Sequence, residues 1–354
     1  MKRLILVSIL LLLLVLLLPL VFVSAVPGDG ETTAPPSDVL SPDSPSPSAS
    51  PAEVSPDAGA SPEPSASPLA LRSGEVRDAD FHFTALTKGA LTQYSLADYL
   101  PGMLAGEMPA SFEPEALKAQ AVAARTFVLY KAQRTTARHP DAAVCDDPAC
   151  CAAWVSLDDM RAAWGGNFDA YRQKLMDAVE ETDGQYLSFD GEPILAAFHS
   201  SSAGATEDSA QIWSALPYLV SVSSPETAAD VPNYVSTVEV APDDFKSTIL
   251  AAYPDADLSG APDGWLGPAI PDGSGRTGSV SVGGVSVPGT AMRTLFSLRS
   301  TAFALAYTDG RFLFTVTGFG HGLGMSQYGA DVMAKSGSGY AEILTHYYPG
   351  TSIV

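Results

Sequence analysis

The sequence predicts an α+β fold in which helices and antiparallel hairpins surround a cleft. Three observations point there. The strand-like segments come in pairs about tight two-residue turns, Asp190-Gly191, Gly283-Gly284 and Asp309-Gly310, which join antiparallel neighbours. Helical periodicity is concentrated in separate stretches, chiefly within residues 94–131 and at the C-terminal end. Helices and strands do not alternate regularly, as a parallel α/β sheet would require.

Taken from the start, Met1-Lys2-Arg3 precedes an apolar run from Leu4 to Val26, 23 residues (26 − 4 + 1). As a helix that is roughly 34 Å, enough to cross a bilayer. Residues 1–26 are therefore expected to be a single transmembrane anchor, because a cleavable leader has a shorter apolar core. Ser24-Ala25 keeps the cleaved reading open. Under either reading Lys2 and Arg3 stay cytoplasmic and the rest is exported. Residues 27–74 are Pro, Ser, Ala and acidic residues with almost no aromatics. Such a composition cannot bury enough apolar surface to fold, and reads as a disordered tether. Residues 75–354 are expected to form the folded domain.

Within that domain, residues 81–83 alternate weakly as a strand. Residues 94–107 carry Leu96, Tyr99, Leu100, Met103 and Leu104 at helical spacing, with Pro101 as a point of kinking or shortening. Pro114 suits the first turn of the next helix. There Leu117, Ala121, Ala124 and Val128 form a core stripe, and Lys118 and Arg125 share an adjacent one. Residues 135–155 are a loop rich in Cys and Asp. Asn167 is placed to cap a helix over 168–181. Residues 185–199 read as a hairpin, followed by the small-residue turn Ser200–Gly204. Residues 235–271 are poorly patterned apart from a helix near 243–252. A hairpin over 278–287, a short helix over 292–298 and strands over 303–307 and 312–317 follow. The chain closes with the glycine-rich stretch 318–324 and short helices near 327–334 and 340–347.

The chain has 40 Asp and Glu against 19 Lys and Arg, a net charge of −21. A field of that sign disfavours nucleic acid and anionic lipid as partners. The only cysteines are Cys145, Cys150 and Cys151. An odd count in one short loop is no disulfide framework.

Four groups can carry chemistry. Glu107 lies between Gly106 and Met108-Pro109, ahead of an Ala-rich helix. Burial there would raise its pKa and leave a protonated carboxyl able to serve as general acid. The plainer reading is a glutamate facing water at a helix end. His139, Cys145 and Cys151 stand six residues apart, a ligand set of the zinc type, with Asp141, Asp146, Asp147 or Cys150 available as a fourth ligand. A disulfide in the loop is the competing reading for an exported protein. His321 sits among glycines that let backbone approach a ligand, although no Lys-Ser or Lys-Thr follows as in a phosphate loop. His199 followed by Ser200 and Ser201 suggests a nucleophile beside a base only weakly, since such partners are defined in space.

Taken together, several blocks resemble the SpoIID/LytB family. They are Gly106-Glu107-Met108-Pro109, residues 115–126 with Lys118 and Arg125, the turn 200–204, Trp213 with residues 216–219, residues 298–301, residues 320–330 and residues 346–350. The resemblance covers residues 76–354. It implies a lytic transglycosylase acting on peptidoglycan strands stripped of stem peptides. Such an enzyme cleaves between N-acetylmuramic acid and N-acetylglucosamine and leaves a 1,6-anhydro end. By that resemblance Glu107 is the single acid and base. Lys118 and Arg125 match cleft residues. Ser200, Ser201, His321 and Gln327 are expected to bind glycan, since hydroxyl-rich turns suit carbohydrate hydrogen bonds and a histidine among glycines can position a sugar. The family has a histidine where His321 stands, with its role open. The likeness favours zinc at His139, Cys145 and Cys151 in a structural or orienting role, and implies no organic cofactor. It also implies a sporulation cell-wall amidase and membrane proteins as partners, and an extracytoplasmic domain. Some relatives are described as enhancers of an amidase, so a non-catalytic glycan-binding role stands as the alternative.

Overall fold

The computed structural model describes residues 77–134 and 136–354. The expected anchor and tether lie outside them. Among the described residues no helix is long and apolar enough to cross a membrane.

The first hairpin pairs β1 (His82–Thr87) with β2 (Ala90–Ser95). Its turn uses left-handed Lys88 and Gly89, at φ 50 and 76°, as two-residue hairpins do. The sequence reading began the following helix at Tyr94, but strand pairing holds the chain extended through Ser95. The helix α1 (Leu96–Glu107) then starts on Ser95, whose side chain accepts from the Asp98 N–H. Pro101 sits in its second turn and does not shorten it. Next comes α2 (Pro114–Ala132), buried on nearly every side from Ala116 to Leu129. Its alanines let neighbouring helices come close.

β3 (Val144–Cys145) runs parallel to β1. A helix the sequence did not reveal, α3 (Leu157–Trp164), begins at a Ser156 cap. It leads through a short 3-10 turn into α4 (Phe168–Glu180). Asn167 makes no capping hydrogen bond with its side chain, because that preceding turn already sets the entry of the chain. The Asp190-Gly191 hairpin forms as expected between β4 (Leu187–Phe189) and β5 (Glu192–Pro193), with φ 52 and 85° at the turn. β6 (Phe198–His199) is not part of it and pairs elsewhere. A single helical turn, α5 (Ser209–Ile212), follows.

Residues 235–317 build a second body. It contains β7 (Val235–Val240), α6 (Pro242–Ala252), β8 (Leu266–Pro271), β9 (Thr277–Val282), β10 (Val285–Pro288), α7 (Gly289–Leu295), β11 (Phe303–Thr308) and β12 (Arg311–Thr317). The strands form two three-stranded antiparallel sheets, ordered β10-β9-β8 and β11-β12-β7. Both hairpin turns fall where the sequence placed them. The short helix lies three residues earlier than expected. β7 and β8 are strands the sequence left unpatterned, and both are sheet edges: β8 exposes nearly all its side chains, and β7 alternates only between exposed and half-buried positions.

The chain then returns through the glycine stretch to β13 (Met325–Ser326), α8 (Gln327–Lys335), α9 (Tyr340–Tyr347) and β14 (Ser352–Ile353). β13 lies parallel to β6, Ser326 opposite His199. α2 is the axis of the first body and packs against α1, α4, α8 and α9. The result is the mixed α+β arrangement with antiparallel sheets that was expected, organised around two separate hydrophobic cores.

Candidate active site

Glu107 is the last residue of α1 and is almost wholly buried. What encloses it is the loop that follows Cys151. The Ala153 N–H donates to Glu107 Oε1 at 2.6 Å, the Val155 N–H to Gly102 O at 3.1 Å and Trp154 Nε1 to Tyr99 O at 3.2 Å. This loop lies directly on two helical glycines. A Cβ at Gly102 would fall 2.3 Å from Trp154 Nε1, and one at Gly106 would fall 2.9 Å from the Ala153 carbonyl carbon.

Burial pushes the Glu107 pKa from 4.5 to about 8, against the opposing pull of the Ala153 N–H and the Gln327 side chain. Gln327 opens α8, is itself buried and faces the carboxyl. It is near enough to favour the charged form, yet no hydrogen bond of ordinary geometry closes. Glu107 Oε2 and Gln327 Nε2 are both buried without a hydrogen-bond partner. Since Oε1 accepts from Ala153, the proton belongs on Oε2. A carboxyl that keeps its proton at neutral pH, with the proton-bearing oxygen not tied up by the protein, can donate to a ligand oxygen.

The remaining expected site residues divide into two sets. Ser200, Ser201 and His321 are brought into the junction that holds Gln327. Tyr328 N–H donates to Ser200 O, and Ser201 and Phe319 exchange backbone hydrogen bonds. Ser201 Oγ is buried without a partner. His321 is buried, with Nδ1 accepting from the Leu323 N–H at 2.9 Å, which leaves its hydrogen on Nε2. Its ring stands 5.5 Å from that of Trp213 and 5.8 Å from that of His199.

Arg125 corrects an expectation: it faces no cleft. Its guanidinium is fully buried and bidentate on Asp78, both contacts at 2.6 Å, and also donates to Gln185 O. A group so enclosed clamps the segment ahead of β1 onto α2 and cannot meet a glycan. Lys118, two turns away, is partly exposed and bridges Glu115 at 2.7 Å and Glu181 at 2.6 Å. His199 Nε2 pairs with Ser202 Oγ at 2.7 Å, and the Ser202 N–H donates to Glu226 Oε1 at 2.6 Å, so the histidine's serine partner is Ser202 rather than Ser200 or Ser201 and the pair ties down the turn.

The cysteine loop folds into one cluster. His139, Cys145, Cys150 and Cys151 are all buried, and their ligand atoms lie within 4.8 Å of one another. The three thiols are free of disulfides. A tetrahedral zinc site has ligand atoms about 3.3–3.8 Å apart, so this set fits a metal ion with slight contraction. The chemistry agrees. His139 Nδ1 contacts Ala142 O at 2.9 Å, an arrangement that turns Nε2 toward the sulfurs and fixes it as a ligand atom. The Cys151 thiol, through its hydrogen bond, draws the Cys145 pKa down to about 6. Cys150 thus completes the set from among the alternatives the sequence left open. The cluster is two residues from Ala153, and β3 holds Cys145 against β1.

Sequence reasoning missed three contributors here. Ala153 acts through its backbone, for which no side-chain signal exists. Asp78 lies before any patterned element. Glu226 accepts from Ser202 N–H, Ser224 Oγ and Ser326 Oγ at 2.5–2.6 Å, tying the serine turn to β13, and nothing in its neighbourhood of sequence marks it.

A buried, proton-holding glutamate at a helix end, covered by a His/Cys cluster loop and met by a second glutamine-bearing helix, defines a class of site. The comparisons identify it further. The family profile described as "SpoIID: Stage II sporulation protein" matches residues 87–189. This span includes Glu107 and the whole cluster. "Stage II sporulation protein D" of Bacillus subtilis (strain 168) is 35% identical over 261 residues, 73% of this chain and 74% of the relative. The protein of the same name from Bacillus amyloliquefaciens is 35% identical over 260 residues, with the same shares covered. An "Amidase enhancer" of Bacillus subtilis is 29% identical over 305 residues, 72% of this chain but 40% of that protein. The chain belongs to the SpoIID family of sporulation proteins.

Proposed function

We propose that the chain is a lytic transglycosylase of peptidoglycan in which Glu107 acts alone as acid and then base. The observation that supports this most directly is the enclosure of Glu107, with its pKa raised to about 8 and its Oε2 without a partner. Glu107 Oε2–H protonates the glycosidic oxygen between muramic acid C1 and the leaving N-acetylglucosamine. The C1–O bond breaks, and the C6 hydroxyl of the same muramic residue attacks C1. The carboxylate left on Glu107 takes the proton from O6. No water is consumed, the glutamate regains its starting state, and the product ends in a 1,6-anhydro ring. One carboxyl suffices where ordinary glycosidases need two. The Ala153 N–H supports the carboxylate stage, and the Gln327 side chain, which faces the carboxyl, orients the sugar oxygen. Ser201 and His321, in the junction that holds Gln327, are the further glycan contacts of this reading, and Lys118, partly exposed and ion-paired to Glu115 and Glu181, is assigned to the glycan strand as well.

His139, Cys145, Cys150 and Cys151 would hold zinc. Bound there, the ion supplies structural cross-linking of the loop that carries Ala153. The bond-breaking steps belong to Glu107. By the same reading the domain is held outside the cytoplasmic membrane by residues 1–26 and works beside a cell-wall amidase of sporulation.

The test is digestion of denuded glycan strands with detection of anhydromuramic ends by mass spectrometry. Wild type is expected to produce them and Glu107→Gln is not. Equal product from both would overturn the assignment. Removing metal with a chelator is expected to lower the melting temperature, and the activity left in folded apoprotein should still yield anhydro ends.

The likeness to the amidase enhancer favours a second reading, in which the same groove grips glycan and recruits an amidase without cutting. Tight strand binding with no anhydro ends from wild type would select it.

A further inference from the structure

Beside the proposed acid lies a feature with no part in the chemistry above. Arg299 is half-buried, and its guanidinium stacks on the Phe319 ring with Cζ 4.4 Å from the centroid. Its backbone carbonyl accepts from the Gly320 N–H at 2.8 Å, which fixes the residue to the glycine stretch. Its Nε is buried without a partner, and among the described residues it makes no ion pair. Burial lowers its pKa, and Tyr328 is the titratable group that acts on it, with no carboxylate close enough to do so.

That is a costly state for a cation. A guanidinium drawn out of water is ordinarily matched by a carboxylate, and this chain has carboxylates to spare, with a net charge of −21. None is placed here. The position is also specific. Tyr328 directly follows Gln327, the residue facing Glu107, and its ring meets that of Phe112 at 4.9 Å. Phe112 closes the turn that leaves Glu107. Phe319 and Tyr328 are, like Arg299, half-exposed. The surface next to the buried acid is therefore a strip of two aromatic rings and one cation without a counter-ion. Aromatic faces suit sugar rings, and a planar guanidinium suits a carboxylate, which it can hold by two parallel hydrogen bonds.

We infer that Arg299 is a specificity residue that binds the lactyl carboxylate of a muramic residue next to the scissile bond. The inference rests on the reading of the site as a glycan-cleaving one, and adds how the strand is chosen. In a muramic residue without a stem peptide, that group is a free anion. Where a peptide is attached it is an amide, neutral and bulky, and Arg299 has nothing to pair with. An acidic protein repels an anionic polymer at long range, so one local cation decides which sugar settles beside Glu107.

The experiment uses the full-length protein on two preparations of the same denuded strands, one native and one with its lactyl carboxyls converted to amides. Rates of anhydromuramic end formation give KM and kcat separately. Loss of a charge-assisted hydrogen bond corresponds to roughly a tenfold or greater rise in KM. Wild type should show that rise on amidated strands with kcat little changed. Arg299→Gln should show the raised KM on both preparations, and Arg299→Lys should regain part of the discrimination. The inference is overturned if wild type treats both strands alike, or if folded Arg299→Gln still prefers the native one. If no preparation yields anhydro ends, the cleavage reading fails. Co-sedimentation of the two strands then tests Arg299 alone: a wild-type preference that Arg299→Gln loses sustains it, and no preference rejects it.

Discussion

The two cores of this molecule are built on different plans. The second, formed by residues 235–317, is aromatic: the Phe245 and Phe312 rings lie 3.9 Å apart, and Trp265, Phe296 and Phe314 extend the stack. Its buried polar residues are few, Arg276, Ser300 and Thr301. The first core is larger and mixed: buried alanines and leucines outnumber its rings, and it encloses Asp78, Glu107, Gln120, Arg125 and His139. Large rings fill space and exclude water but bring few backbone polar groups to an ionisable side chain. Small side chains bring backbones together, and those backbones supply the N–H and C=O groups that a buried charge or proton needs. The proposed site sits in the core that stability alone would not have chosen.

The sharpest way to test this contrast is Glu107→Gln. Losing a positioned general acid is expected to cost about 10²–10⁴ in turnover, read from the rate of anhydro-end formation. The same change should act on stability with a definite sign. The folded-state pKa of Glu107 is raised, from 4.5 to about 8. Its contribution is therefore fully present below pH 4.5 and is lost as pH rises through 8, by about 1.4 kcal/mol per pH unit across that window. Denaturant unfolding should show the variant gaining on wild type between pH 5 and 8. A difference that stays flat with pH would mean Glu107 is ionised in the folded protein.

Next in size come matched truncations in the two cores. Asp78→Ala strands the buried Arg125 and should destabilise by about 3–5 kcal/mol. Phe312→Ala opens a cavity in the aromatic stack, also for about 3–5 kcal/mol. Urea titrations at several salt concentrations compare their stability. Only Phe312→Ala should leave the pH profile of turnover unmoved in the folded fraction. The smallest effect is at Ser95, whose loss as the cap of α1 should cost about 1 kcal/mol in Ser95→Ala, seen as a fall of a few degrees in melting temperature.

What could be read from the sequence was whatever is decided locally. Asp190-Gly191, Gly283-Gly284 and Asp309-Gly310 all adopt positive φ, and the hairpins fall where those pairs stand. α2 and α4 follow their periodicity. The glutamate flagged in Gly106-Glu107-Met108-Pro109 is indeed desolvated, and the three flagged ligands His139, Cys145 and Cys151 do meet. What could not be read depends on partners distant in the chain. The helical face of Arg125 was legible, but not that Asp78 lies against it, 47 residues away. β2 looked helical from Tyr94 because pairing with β1, not propensity, holds Ser95 extended. β8 escaped notice because an exposed edge strand such as Leu266–Pro271 buries neither face. The hydrogen bond to Glu107 from Ala153 is invisible because any residue but proline offers the same N–H.

Gly102 and Gly106 carry a lesson for anyone wishing to toughen this protein. Replacing a glycine inside a helix by alanine is a standard stabilising move, worth roughly 1 kcal/mol from reduced freedom of the unfolded chain. Both positions invite it, being one turn apart on α1. Here the added methyl would strike Trp154 at one site and the Ala153 backbone at the other, lifting the loop off the helix. A sequence-based thermostabilisation scheme would thus select, as its first two choices, the changes most apt to let water reach the carboxyl.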